Sequence, residues 1–238
     1  METKGKLYLI PTRLGDNPPL EVLPLSIKKV IEQLDHYIVE NEKTARRFIK
    51  RVVPSKSQPN LKLKVLNKFT QATELGTFLE PCVNGNSMGI ISEAGCPAIA
   101  DPGADIVRLA HERNIKVIPL VGPSSIILAL MSSGMNGQSF AFNGYLPIDK
   151  QERKQKIKQL EKRSFELNQS QIFIETPYRN NQMLKDLIST LHQNTRICVA
   201  CDLTLPTEYI KTLSAKDWKH NTSEDLHKRP AIFIIQKD

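Results

Sequence analysis

Short apolar runs of strand character alternate, through the first half of this chain, with segments of helical periodicity, and this alternation limits the fold more than any other feature. LYLI (7–10) reads as a first strand. VLPLSIKKVIEQL (22–34) spaces its apolar residues as a helix does, and HYIVE (36–40) reads as a second strand. A short basic helix over 43–52 closes before Pro54, and another helix covers 73–79. MGIIS (88–92) is a strand, 105–113 a helix with Asn114 as a left-handed cap, and KVIPLVG (116–122) the next strand. Strands separated by helices pair in parallel through crossovers, so an α/β sheet follows. After Gly122 the pattern restarts. A helix over 124–133, a strand over 139–146, a long polar helix over 151–167, a strand over 171–175, a helix over 179–191 and strands over 196–203 and 231–236 describe a more antiparallel unit. The expectation is therefore an N-terminal α/β domain over 1–121 with a mainly parallel sheet, and a C-terminal α+β domain over 122–238 with a mixed one. The chain's 238 residues suffice for two such cores.

The formal net charge is +8, and it is unevenly placed. Lys43, Arg46, Arg47, Lys50, Arg51, Lys56, Lys62, Lys64 and Lys68 occur with no acidic residue among them. Lys150, Arg153, Lys154, Lys156, Lys158, Lys162 and Arg163 share their stretch with Glu152 and Glu161 alone. Such clusters attract a polyanion, and RNA is the partner they point to. No apolar run has the length needed to cross a bilayer. The cysteines Cys82, Cys96, Cys198 and Cys201 form no disulfide framework, which fits a reducing cytoplasm. Cys198 and Cys201 make a C-x-x-C, but within the strand-like ICVACDL they point to opposite faces and cannot chelate one metal. The histidines are scattered, and no metal site is expected.

Three loops carry ligand-binding features. SEAGCPAIADPG (92–103) follows a strand at its carboxyl end, where ligands bind in α/β sheets. Its glycines allow close backbone approach and its prolines stiffen it. Gly122-Pro123 ends a strand and Ser124-Ser125 begins a helix, whose free N–H groups favour an anion. IPTRLGD (10–16) leaves the first strand with a proline, a glycine and an aspartate. A G-x-G-x-x-G fingerprint is absent.

In order and spacing, LYLIPTRLGD, SEAGCPAIADPG, VIPLVGPSSIILALMSSGM and FAFNGYLP resemble the tetrapyrrole methylase superfamily. Within it, the chain most resembles the branch that uses S-adenosyl-L-methionine to methylate the 2′-hydroxyl of a cytidine in small-subunit ribosomal RNA. FIETPYRNNQMLKDL (173–187), ICVACDLT (197–204) and AIFII (231–235) also fit. The resemblance implies two α/β domains with a cofactor cleft between them and a homodimer acting on ribosomal RNA or the small subunit, without a membrane. It assigns Pro11, Ala94, Gly95, Asp101, Pro102 and Gly103 to the cofactor from the first domain. Ser124, Ser125, Thr176, Leu203 and Ala231 are assigned from the second. The chain departs from the pattern at Arg13 and Asp16, where P-x-G-N is usual. ENEKT (40–44) stands for E-D-T-R, Asp202 for a glutamate, and KRPAIF (228–233) lacks a G-E pair.

Methyl transfer to a hydroxyl needs alignment, exclusion of water and a group to take or stabilise the proton. Glu93, Glu40 and Arg13, at strand ends, are the candidate catalytic residues. Arg46, Arg47, Lys50 and Arg51 are the candidate RNA contacts. The alternatives are methylation of a tetrapyrrole or of a protein side chain, and an RNA-binding assembly factor without catalysis.

Overall fold

The computed structural model describes residues 3–67, 69–71 and 73–238. Lys68, counted in the first basic run, lies outside the described residues. The chain divides into two compact units, Met1–Ser124 and Ser125–Asp238.

Unit 1 runs β1 (Leu7–Ile10), α1 (Pro19–Val22), α2 (Leu25–Gln33), β2 (His36–Val39), α3 (Glu42–Val52), β3 (Lys62–Val65), α4 (Leu75–Phe78), α5 (Glu80–Val83), β4 (Met88–Ile91), α6 (Ala104–Glu112) and β5 (Val117–Pro119). Its strands form one sheet in the order β3-β2-β4-β1-β5, and every pairing is parallel. Both faces are covered, which is why the central strands are apolar on successive residues rather than alternate ones. Tyr37 and Val39 of β2 join Ile27 and Ile31 of α2 and Phe48 and Ile49 of α3 in one core. Ile38, from the same strand, joins Met88, Ile90, Ile106 and Ala110 on the other face. Tyr37 is fully buried because its hydroxyl donates to the Ile31 and Leu34 carbonyls at 3.2 and 3.0 Å.

The single helix expected over 22–34 is two helices. Pro24 has no N–H and its ring would collide with the carbonyl four residues back, so the helix restarts there, with Pro24 at the cap of α2. The segment expected as a helix over 73–79 contains the short α4, and a second short helix, α5, follows it at Glu80–Val83. Asn114 takes the expected left-handed conformation, with φ 53°. β3 was not expected from the sequence. Its KLKV reads as part of a basic run, and lysines are a common guard on a sheet edge.

Unit 2 runs α7 (Ser125–Ser133), β6 (Phe140–Tyr145), α8 (Lys150–Leu167), β7 (Ser170–Ile174), a 3₁₀ turn over Pro177–Arg179, α9 (Asn180–Thr190), β8 (Arg196–Cys201), β9 (Tyr209–Ser214), α10 (Ala215–Trp218) and β10 (Ala231–Gln236). The sheet order is β6-β7-β10-β8-β9, with β6 and β7 parallel and the other pairs antiparallel. Ile157 and Leu160 of α8, Met183 and Leu187 of α9 and Trp218 of α10 bury against Phe173, Val199, Cys201 and Phe233. The Phe173 and Phe233 rings stack at 5.9 Å between centroids. α7 packs against β8, β9 and β10. Cys201 belongs to this core and Cys198 does not, as opposite strand faces require. Both are free thiols, and no group of metal-ligating side chains occurs among the described residues. Nor is any described helix long and apolar enough to cross a membrane.

Arg153, read above as part of a basic surface, is buried. Its Nε and Nη2 donate to Asp186 Oδ2 at 2.8 and 2.6 Å, and Nη1 donates to the Ile148 carbonyl at 2.6 Å. The pair, 8% and 3% exposed, ties α8 to α9. Removing one partner strands a charge in the core. Asp186→Ala is expected to destabilise the protein by about 3 kcal/mol in urea unfolding, and the double change Arg153→Met with Asp186→Leu by much less.

Candidate functional site

The parallel register aligns Ile10 of β1 with Ile91 of β4, and Ile91 with Val39 of β2. The three strands therefore end level, and the residues that follow, Pro11, Ser92 and Glu40, emerge side by side. Three loops lock together there. The Thr12 N–H and the Ser92 hydroxyl both donate to the Gly95 carbonyl, at 2.9 and 2.8 Å. Gly95 has φ +76°, and an added Cβ would come 3.2 Å from the Leu14 side chain. At Gly122 a Cβ would stand 2.3 Å from that of Pro11, so only glycine lets the loop after β5 pass the loop after β1. Ala98 and Ala100 are also left-handed, at φ 65° and 60°. Such strain in non-glycine residues collects at ligand sites.

These loops gather negative charge. The Glu40 carboxylate accepts from the Glu93 amide and faces the Asp101 carboxyl. Burial, and then the charges of Glu40 and Glu93, push Asp101 up to about 7. Burial is also the main cause that raises Glu40. A proton donated by Asp101 to Glu40 relieves this; without it, Glu40 Oε1 and Asp101 Oδ2 are buried and unpartnered. Pro102 and Gly103 complete the same loop, where Pro102 is exposed and Gly103 buried at the start of α6.

A cavity of about 210 Å³ opens beside this cluster, lined by Thr12, Arg13, Asp16, Thr44, Arg47, Phe48, Ser92 and Glu93 among others. Of the candidate catalytic residues, Glu93 and Arg13 line it and Glu40 does not. Glu93 Oε1 accepts from the Thr44 hydroxyl at 2.6 Å. Thr12, only 3% exposed, has a buried hydroxyl with no partner. Arg13 pairs with Asp16 at 2.7 Å.

α3 sets the outer wall. Asn41 caps it, its Oδ1 accepting from the Lys43 and Thr44 amides at 2.9 and 3.2 Å. Residues four apart share a helix face. Thr44, Arg47 and Arg51 lie toward the cavity side, where Arg51 also pairs with Asp16. Arg46 and Lys50 turn elsewhere: Arg46 binds Glu42 at 2.8 Å and the Gln58 carbonyl at 2.6 Å, and Lys50 binds the Pro54 carbonyl. The four candidate RNA contacts thus divide between two faces, and Arg47 alone of them carries no hydrogen bond or ion pair among the described residues. Thr12 and Thr44 were not singled out from the sequence, and Asp16 was noted as a departure from the family pattern. The spacing of Asn41 and Thr44 as a helix cap is the signal that would have placed Thr44.

In unit 2, Ile174 and Ile232 pair, as do Cys201 and Ala231. Thr176, Leu203 and Ala231 therefore share one end of that sheet. Ser125 begins α7, whose last residue Ser133 receives the Thr212 hydroxyl at 2.9 Å near the far end. The helix thus directs Ser125 toward the Ala231 end. Ser124 closes unit 1, one residue past Pro123. One oxygen of Asp202 is already engaged: Arg229 Nε and the Thr207 hydroxyl donate to its Oδ2 at 2.8 and 3.0 Å.

No family model matches the chain. Among curated proteins, it is 30% identical to the ribosomal RNA small subunit methyltransferase I of Synechocystis over 203 residues, covering 84% of this chain and 67% of that one. With the enzyme of the same name from Vibrio cholerae the identity is 26% over 229 residues, covering 96% and 75%. Among solved structures, a cobalt precorrin-4 methyltransferase of cobalamin biosynthesis superposes with TM-score 0.61 at 16% identity, covering 97% of this chain and 94% of that one. The uroporphyrin-III-C-methyltransferase of Thermus thermophilus gives 0.56 at 17%, covering 98% and 92%. At those identities the structural likeness speaks for the two-domain α/β fold.

The Asp101 carboxyl makes a prediction testable without any ligand. Its folded pKa, near 7, lies above the ordinary 3.8, so the folded state holds the proton more tightly than the unfolded chain. The stability this contributes is present at low pH and is lost as pH rises toward and through 7. In urea unfolding, Asp101→Asn should therefore flatten the decline between about pH 4 and 7. It should also exceed the wild type by about 1 kcal/mol above pH 7, after allowance for screening of the half-exposed group.

Proposed function

The chain belongs to the family of ribosomal RNA small subunit methyltransferase I, and from that premise we propose that it methylates the 2′-hydroxyl of a cytidine in small-subunit ribosomal RNA, with S-adenosyl-L-methionine as donor. The observation that carries the reading is the paired character of unit 1 at its strand ends: a carboxylate cluster at Glu40, Glu93 and Asp101 beside a cavity walled by arginines.

The residues fit the donor. Its sulfonium and ammonium are cationic, and three crowded carboxylates, one held partly protonated by burial and by its neighbours, are relieved by a cation. Gly95, Ala98, Ala100 and Gly103, all at positive φ, turn the backbone so that it can approach a ligand closely. Pro11, Ala94, Gly95, Asp101, Pro102, Gly103 and Ser124 would hold the cofactor from unit 1. Ser125, Thr176, Leu203 and Ala231, which share one end of unit 2, are assigned to it as well. When bound, the cofactor supplies a methyl group on a positively charged sulfur, open to in-line displacement.

The chain's own residues do the rest. Glu93 stands at the cavity with one oxygen fixed by Thr44 and the other available to accept a proton from a ribose hydroxyl. Arg13, always cationic, cannot act as a base; it steadies the anionic backbone of the substrate. Arg47 and Arg51 extend that charge along α3, whereas Arg46 and Lys50 brace the 54–58 segment. The same reading has the enzyme working in the cytoplasm as a homodimer. Phe140, Tyr145 and Ile148, exposed at the β6 edge of unit 2, are apolar surface that a second copy would cover.

A basic site would also suit a carboxylate-rich tetrapyrrole. Against that substrate stands the position of the arginines on the flank of α3, suited to an extended backbone. Small subunits from cells lacking the gene should take up label from radioactive S-adenosylmethionine, and mass mapping should find it on one cytidine ribose. Label on a tetrapyrrole with none on ribosomal RNA would reverse the assignment. Glu93→Gln should lower kcat by about 10²-fold or more while calorimetry still shows cofactor binding.

A further inference from the structure

Two guanidinium groups converge on a single oxygen at the mouth of the unit 1 cavity. Arg13, on the loop after β1, places Nη2 2.7 Å from Asp16 Oδ1, and Arg51, in the last turn of α3, bonds the same oxygen through Nη1. The members of this triad are not equally anchored. The Arg13 side chain is 15% exposed and its Nη1 also donates to the Asn17 carbonyl, while the Asp16 carboxylate is 78% exposed. The carboxylate can leave for water with little loss, because its hydration is already largely in place, whereas the Arg13 cation stays. Arg47, one turn before Arg51, lines the same cavity and has no ionic partner among the described residues. Two guanidiniums therefore hold one labile carboxylate, and a third lines the same cavity. Exposed ion pairs of this kind add little to stability, so folding alone gives no reason for the arrangement.

We propose that Arg13 and Arg51 form a clamp for one phosphodiester of the RNA substrate, and that Asp16 occupies the phosphate's place until the RNA displaces it. A phosphate oxygen accepts charge-assisted bonds from two guanidiniums just as the Asp16 oxygen does, and it offers further oxygens to Arg47. Asp16 is then a built-in competitor that lets only a multiply contacting polyanion enter, and turns away isolated anions. The proposal rests on the RNA reading given above.

The test is fluorescence anisotropy with a labelled single-stranded ribo-oligonucleotide, repeated over a range of salt concentrations. Asp16→Asn, which removes the competing charge and keeps the shape, should bind about three- to tenfold more tightly than the wild type. Arg51→Gln should bind about tenfold more weakly and lower the slope of log affinity against log salt by about one. Adding Asp16→Asn to Arg51→Gln should then recover less than it gains alone. Calorimetry with S-adenosylmethionine reports whether each variant is folded. If Asp16→Asn is folded and binds the oligonucleotide no more tightly, Asp16 is a structural anchor and the clamp is refuted. If the wild type binds no RNA at low salt, the RNA reading itself falls and takes the clamp with it.

Discussion

The in-register parallel pairing of β1, β4 and β2 is the constraint on which unit 1 depends. Parallel strands all point their carboxyl ends the same way, so their exits are neighbours whatever the loops contain. Because Ile10, Ile91 and Val39 sit at one level, residues distant in sequence become adjacent in space. Glu40 meets Glu93 and Asp101 for this reason, and Thr12 reaches the Gly95 carbonyl for the same one. The apolar cores on both faces of the sheet hold that register, since a slip by one residue would exchange Tyr37 and Ile38 between them.

Around those exits the charges are sorted. Carboxylates collect at the foot of the 92–103 loop, where burial raises Glu40 and Asp101 and leaves Asp101 partly protonated near neutrality. Guanidiniums stand outside, on the first loop and on α3. On the proposed reading, a cationic donor and an anionic acceptor would each meet the opposite sign. Glu93 belongs to both, as a member of the acidic cluster and a wall of the cavity.

The strand–helix alternation was enough to read the parallel sheet of unit 1 and the mixed sheet of unit 2, because buried strands announce themselves as apolar runs. What escaped were elements whose residues carry other signals. β3 is half lysine, and β9, YIKTLS, is a partly exposed edge strand that follows a polar turn. The loop residues of the site were legible through their glycines and prolines. The partners of charged groups were not, since a sequence shows a charge but not what neutralises it. Arg153 reads as surface until Asp186 is seen beside it. The departures from the family pattern show the same effect. Arg13 and Asp16, which both depart, bind each other, and Asp202 binds Arg229 of the altered KRPAIF. Each pair makes physical sense only jointly, a relation that one-dimensional inspection misses.

The division of α3 into two working faces has a consequence for how this segment can vary. Arg46 and Lys50 fasten the helix to the 54–58 stretch while Thr44, Arg47 and Arg51 serve the cavity side, and the two sets interleave within eleven residues. Single replacements on one face leave the other in place. A one-residue insertion after the Asn41 cap would instead rotate every later side chain by about 100°, sending the brace toward the cavity, the cavity arginines away from it, and Phe48 and Ile49 out of the core. Relatives of this chain are therefore expected to differ here by substitution at constant length, with gaps and insertions confined to the loops beyond Pro54.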